Sequence, residues 1–246
     1  MTSSWLDFWN GQHRIYVNDR HANVHYRKIA ADFIALIPFA NATVVDWGCG
    51  DAYNAEDILA HAGRLILCDA ASATRDRLKA RFGTRTSRID IIAPADLTTR
   101  YAGQVDLFVV NSVLQYLDDG ELDALLADAR ACLTPTGRLV IADVIPIHDD
   151  LLGDIGNLLS IGWKNGFFFA ALVGLVATFF SPYRRLRSTV GLHRYDAATF
   201  LQRLSDAGFH AERLHPNMGF DQRRMAFQAR RGTAAEQAAP SETAAD

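Results

Sequence analysis

Between residues 43 and 144, short apolar runs rich in β-branched residues alternate with helical stretches. Thr43-Val44-Val45-Asp46, Leu65 to Asp69, Ile89 to Ile92, Val105 to Asn111 and Arg138 to Val144 read as strands. Their apolar residues are continuous rather than alternating, which is the pattern of strands covered on both faces, as in a parallel sheet between helices. Helices are expected from about Tyr53 to His61, from a Ser72 cap to about Arg81, and from Asp119 to Cys132. Thr134-Pro135-Thr136-Gly137 reads as a turn before the fifth strand. Farther on, Thr199 to Ala207 is helical, Gly208 stops it, and Ala211–Leu214 and Met225–Ala229 read as a closing pair of strands.

The expected architecture is therefore α/β: three layers, doubly wound, on a seven-stranded, mostly parallel sheet with an antiparallel closing strand. Two segments stand outside the alternation. Residues 1–40 read as helical, with Ile29, Phe33, Ile34 and Ile37 at helix spacing and Pro38 ending the pattern, and form an expected N-terminal lid. Residues 147–192 form an apolar, glycine-containing, helical insert. Residues 1–231 are read as a single domain, and 232–246, rich in Ala, Glu, Thr, Ser and Pro, as a disordered tail.

A formal charge of −3 over 246 residues supplies no basic field for a nucleic-acid backbone, so no nucleic-acid partner is expected. Cys49, Cys68 and Cys132 lie far apart, in or beside apolar runs, without metal-ligand spacing. They read as reduced thiols of a cytoplasmic protein, and no metal site is expected. MTSSWLDFWNGQHR lacks the cationic start and apolar stretch of a signal peptide.

The sharpest local signal is Val44-Val45-Asp46-Trp47-Gly48-Cys49-Gly50-Asp51-Ala52. A strand runs straight into Gly-x-Gly, where the backbone must turn sharply and come close to a ligand. Here the chain resembles the class I S-adenosylmethionine-dependent methyltransferases, whose first motif is an acid, any residue, then Gly-x-Gly after strand one. The resemblance implies a Rossmann-like fold with S-adenosyl-L-methionine as cofactor. It gives the turn of Gly48, Cys49 and Gly50 to the methionine moiety and makes Asp46 an orienting acid. Asp69 in LILCDAA, with Ala70 beside it, matches the acid ending strand two that accepts both ribose hydroxyls, about 19 residues past Gly50. Asp96 and the Leu97 backbone match the position beside the adenine. Asn111-Ser112-Val113-Leu114-Gln115-Tyr116 resembles the edge of the cofactor and substrate pocket. LTPTGRLVIADV resembles the turn and fifth strand, with Thr136 where glycine is commoner.

Each position has a plainer alternative. Gly48–Gly50 could be an ordinary tight turn, Asp69 a solvated strand end, Asp96 a helix cap, and Cys49 and Cys68 packing residues. The nicotinamide alternative fits less well. Its G-x-G-x-x-G/A fingerprint would put Tyr53 at the third small position, where bulk obstructs helix–strand packing. A further alternative is a non-catalytic, partner-binding or membrane-associated protein on the same fold.

A small-molecule acceptor, hydrophobic or lipid-like molecules included, must be met by residues outside the shared core. The aromatic, histidine-rich stretch from Trp5 to Tyr26 offers Tyr16 and Asn18 as pocket residues and His21 or His25 as bases, or else packs as an amphipathic helix with those groups solvated. His148 follows strand five closely and is a candidate for proton transfer, or an exposed loop residue. Phe167–Phe180 is roughly 14 apolar residues, short of the about 20 that span a bilayer. It reads as a buried helix, an apolar substrate wall, or, with Arg184, Arg185 and Arg187, a peripheral membrane contact over 167–187. His193-Arg194-Tyr195 opens the final helix near the pocket. No Asn-Pro-Pro-aromatic motif follows strand four, since Asn111 precedes Ser112-Val113, which disfavours nucleic-acid bases and protein amides as acceptors.

Overall fold

The computed structural model describes Trp5, residues 19–147 and residues 192–232. Among the described residues, seven strands form one sheet in the order β3-β2-β1-β4-β5-β7-β6. They are β1 (Thr43–Trp47), β2 (Arg64–Cys68), β3 (Ile89–Ile92), β4 (Val105–Asn111), β5 (Leu133–Val144), β6 (Phe209–Leu214) and β7 (Met225–Arg231). Strands β1 to β5 are parallel, and β7 runs antiparallel between β5 and β6. The doubly wound, mostly parallel sheet expected from the sequence is therefore the one observed.

Side chains alternate across each strand and build two cores. On one face Val45, Phe108, Val110, Leu139, Ile141 and Phe227 meet helices α4 (Leu97–Tyr101), α5 (Asp119–Cys132) and α6 (Ala197–Asp206). On the other, Val44, Leu65, Leu107, Val109 and Val140 meet α1 (Asp19–Leu36), α2 (Ala55–Leu59) and α3 (Ser72–Phe82). Strands buried on both sides explain why their sequences read as unbroken apolar runs.

Helix α5 begins where Asp118 accepts from the Glu121 amide at 2.8 Å and Glu121 accepts from the Asp118 amide at 3.0 Å, a reciprocal cap. Helix α6 stops before Gly208, whose φ of +85° suits glycine. Several boundaries differ from expectation. Helix α2 is only five residues long. Strand β5 already begins at Leu133, so 134–137 continue a strand rather than form a turn. Leu133 pairs with Val105 through a register shift, and a side chain on Gly137 would stand 2.6 Å from the Val105 carbonyl, so glycine permits the close approach.

The strand order reverses direction between β1 and β4. In such sheets, ligands bind beyond the carboxyl ends of the strands at this crevice. The fold thus brings together the turns after β1, β2, β4 and β5, which carry most of the candidate residues.

Phe227 is fully buried, with its ring 4.8 Å from that of Phe200. Phe227→Ala should cost about 3–5 kcal/mol through lost burial and a residual cavity. Urea unfolding should show a lower midpoint with an unchanged slope.

Candidate functional site

The turn after β1 is a constrained backbone path. Gly48 has φ +73° and Gly50 φ +53°, a region that L side chains rarely occupy. The Gly48 amide donates to the Cys68 carbonyl at 2.7 Å, tying the turn to the end of β2. A side chain on Gly48 would come within 2.5 Å of Val113 Cγ2, whereas one on Gly50 would meet nothing within 4 Å. Gly48 therefore lets two loops close on each other, and Gly50 faces open space. From α3, Arg77 Nη2 donates to Asp51 Oδ1 at 3.1 Å, and Arg81 donates to the carbonyls of Asp51 at 3.1 Å and Tyr53 at 2.7 Å. Tyr53 is half exposed and stacks on Tyr26 of α1, with ring centroids 4.5 Å apart. These arginines hold the turn from behind, a role no glycine motif announces.

Asp69 sits beside this turn and is 8% exposed. Its Oδ2 accepts from the Gly50 amide at 3.0 Å and its Oδ1 from the Ala71 amide at 2.8 Å. Asp69 is therefore not a solvated strand end. The carboxylate bridges the loops after β1 and β2, and each oxygen retains capacity for a further donor. Arg75 Nη1 donates to the carbonyls of Asp69 and Ala70, both at 2.7 Å. Burial raises the Asp69 pKa, while the two amides and Arg75 pull it down. The expected Ser72 cap is not observed. Ala71 is the cap residue of α3 and makes no side-chain cap bond.

Asp46 is partly buried near the end of β1, and no hydrogen-bond partner holds its carboxyl among the described residues. Burial, and then the charge of Asp69, push its pKa up to about 7. Burial, followed by the charges of both acids, also drives the Cys49 thiol well above its usual range. Burial does the same for Cys68. Neutral, enclosed thiols suit the packing reading of both cysteines.

After β3, a 3₁₀ turn (Pro94–Asp96) leads into α4. Asp96 stands at the cap position of α4 but makes no side-chain cap bond, and it is exposed while Leu97 is fully buried. The helix-capping alternative for Asp96 is therefore not what its carboxylate does.

Past β4, Asn111 Nδ2 donates to Ser112 Oγ at 3.1 Å, and Ser112 Oγ donates to Asp143 Oδ2 at 2.7 Å. The Asp143 amide then donates to Asn217 Oδ1 at 3.0 Å. Ser112 and Asp143 both have φ +59°, paired strain at the ends of neighbouring strands. Because Ser112 spends its proton on a carboxylate, Asn111 must turn its amino group to the hydroxyl. Asn111 Oδ1 is then left buried without a partner, as are Gln115 Oε1 and the donor Trp47 Nε1. Each such group costs about 1–3 kcal/mol if nothing meets it, and unmatched polar atoms at a crevice mark a place for a ligand.

The sequence places Gln115 in the run at the pocket edge but gives neither Asp143 nor Asn217 a role at the site. An acid at a strand's end drew notice to Asp46 and Asp69, and Asp143 carries the same signal. Asn217, by contrast, reaches the site through the β6–β7 loop and has no local signature.

The chain leaves β5 at Ile147 and returns at Leu192 along the same rim. The Tyr195 amide donates to the Ile145 carbonyl at 2.9 Å, the Ile147 amide to the Tyr195 carbonyl at 3.2 Å, and the His193 amide to the Gln115 carbonyl at 3.0 Å. Tyr195 Oη donates to the Leu114 carbonyl at 3.3 Å, and burial pushes its phenol up to about 12. His193 itself is exposed. His25 lies on α1, edge-on to Tyr26 with centroids 5.7 Å apart. Tyr16, Asn18, His148, the 167–187 segment and the His21 side chain lie outside the described residues. Among the described residues there is no metal-binding cluster and no helix long and apolar enough to cross a membrane.

Two outcomes follow from this geometry. Gly48→Ala should destabilise the protein by about 1–3 kcal/mol through backbone strain and the Val113 contact, read as a fall in the denaturant midpoint. Asp46 keeps its proton in the folded state up to about pH 7 but loses it near pH 3.8 when unfolded, so it withdraws stability as pH rises between these values. Asp46→Asn should therefore raise the melting temperature at pH 8, with the gain shrinking toward pH 5.

A family model described as a methyltransferase domain matches residues 45–139, the span from β1 into β5. No curated protein matches the chain. Among solved structures, the DhpI–SAH complex superposes with a TM-score of 0.57 at 14% identity, over 93% of this chain and 96% of that one. Magnesium protoporphyrin IX methyltransferase (ChlM) from Synechocystis PCC 6803, with bound SAH, gives 0.55 at 14% identity, over 94% and 95%. Burkholderia thailandensis 1,6-didemethyltoxoflavin-N1-methyltransferase gives 0.51 at 17% identity, over 85% and 78%. At these identities the likeness is one of fold.

Proposed function

We propose that this chain, whose residues 45–139 match a methyltransferase-domain model, transfers the methyl group of S-adenosyl-L-methionine to a small, apolar acceptor. The observation that carries the reading is the Asp69 carboxylate, braced by the Gly50 and Ala71 amides beside an open glycine turn. Similar folds include proteins solved with bound SAH.

The residues present fit this donor. Asp69 is an oriented acceptor for ribose hydroxyls, with Ala70 alongside. The turn of Gly48, Cys49 and Gly50 leaves backbone approachable on the side where Gly50 has no neighbour. The bare carbonyl of Asn111 suits the donor's ammonium, and its amide is already fixed by Ser112. Asp46 supplies negative charge near a cationic ligand. Asp96 and Leu97 stand at the end of β3, where the adenine would lie.

When bound, the donor supplies an activated sulfonium methyl. The chain's own contribution is to hold that donor, align an acceptor opposite the leaving sulfur and keep water out. An apolar acceptor is supported by the composition of the 147–192 insert, which contains FFFAALVGLVATFF, and by the place of its bounding residues Ile147 and His193 on the site rim. Peripheral membrane contact through 167–187 remains the alternative use of that composition.

Calorimetry tests the donor site. S-Adenosylmethionine should bind in the micromolar range, and Asp69→Ala should weaken it by more than about tenfold, through loss of charge-assisted bonds and of the brace between loops. Unchanged affinity would overturn the ribose role. Affinity should also rise as pH increases through about 7, because ionised Asp46 attracts the cationic donor. Binding below that pH should release a proton, seen as a dependence of the apparent heat on buffer ionisation enthalpy. Asp46→Asn should flatten both effects.

A further inference from the structure

Resting on the reading above, we propose that Gln115 determines acceptor specificity: its Oε1 receives a hydrogen bond from an O–H or N–H of the acceptor. Gln115 is 7% exposed, so its amide has left water. Nε2 donates to the Ser112 carbonyl at 2.8 Å. That carbonyl can only accept, so the amide cannot be turned over and Oε1 is the end left bare. It is buried, and no donor meets it among the described residues.

The group is pinned as well as unmatched. The Gln115 backbone carbonyl accepts from the His193 amide at 3.0 Å. Its neighbours Leu114 and Tyr116 are buried, and the Tyr116 ring lies 4.5 Å from that of Trp5. The carbonyl is therefore an oriented acceptor held from two sides, which is how a site rejects ligands that lack the complementary donor.

Its position selects the ligand. Gln115 lies in the 3₁₀ turn Leu114–Tyr116, which follows Ser112 and Val113 past the carboxyl end of β4 beside the crevice. The donor's polar groups have their own partners in Asp69, Asn111 and the end of β3, so the missing hydrogen belongs to the second substrate. The acceptor class is thus a protonated nucleophile, a hydroxyl or an N–H group, rather than a thioether or tertiary amine.

The step balances without a further reactant. The acceptor heteroatom attacks the methyl carbon, a bond forms to it, and the carbon–sulfur bond breaks with its electron pair going to sulfur. The heteroatom's proton then leaves to water. An amide oxygen is too weak a base to keep that proton, so Gln115 is a positioning residue.

The test uses the full chain with S-adenosylhomocysteine, and probes in pairs of equal shape: phenol with toluene, cyclohexanol with methylcyclohexane. Wild type should hold each hydroxyl probe about tenfold more tightly than its partner, the worth of one buried hydrogen bond. Gln115→Met keeps the volume but not the carbonyl, and Gln115→Asn withdraws it by one methylene. Both should lose the preference while S-adenosylhomocysteine affinity stays intact, an effect that a purely structural role would not produce. No hydroxyl preference in wild type, or its survival in both variants, would overturn the proposal. Failure of S-adenosylhomocysteine to bind would count against the donor site instead, and the probe preference would still be read without it.

Discussion

One carboxylate ties the front of this molecule together. Asp69 accepts from amides on two different loops, Gly50 after β1 and Ala71 after β2. A buried carboxylate survives without water only when its lone pairs are met. The two amides meet it, and in doing so they fix the distance between the glycine turn after β1 and the end of β2. The Gly48 amide reinforces the link through the Cys68 carbonyl. The sheet sets where the loops begin, and this bridge sets how they face each other.

The cost of the arrangement is electrostatic. The charge of Asp69 disfavours that of Asp46, and Asp46 has no hydrogen bond among the described residues to compensate. Natural cores avoid such pairs. Under the proposed function such a pair has a use, since a cationic donor would supply the missing counter-charge on arrival. The unmatched atoms of Asn111, Gln115 and Trp47 follow the same logic with hydrogen bonds in place of charge.

How much of this was legible in the sequence depended on where each signal is written. The strands were legible because burial on both faces gives unbroken apolar runs. Leu133 to Gly137 misled because Thr-Pro-Thr-Gly is turn chemistry, while here Gly137 serves a close approach to β4. Ser72 misled because it is a good cap residue, whereas the helix already begins at Ser72 and Ala71 holds the cap position. Asp69 and Gly48 were legible from a strand–glycine–acid spacing. Asp143 and Asn217 were not, because their contacts join β4, β5 and the β6–β7 loop across long sequence separations. The arginines behind the glycine turn were hidden for the same reason.

A crystal structure with S-adenosylhomocysteine tests the central claim most directly. The account predicts the nucleoside across the ends of β1 and β2, with its ribose hydroxyls within hydrogen-bond distance of Asp69 and its amino-acid end beside Gly48 and Asn111. A nucleoside bound elsewhere, with Asp69 still held only by Gly50 and Ala71, would contradict it.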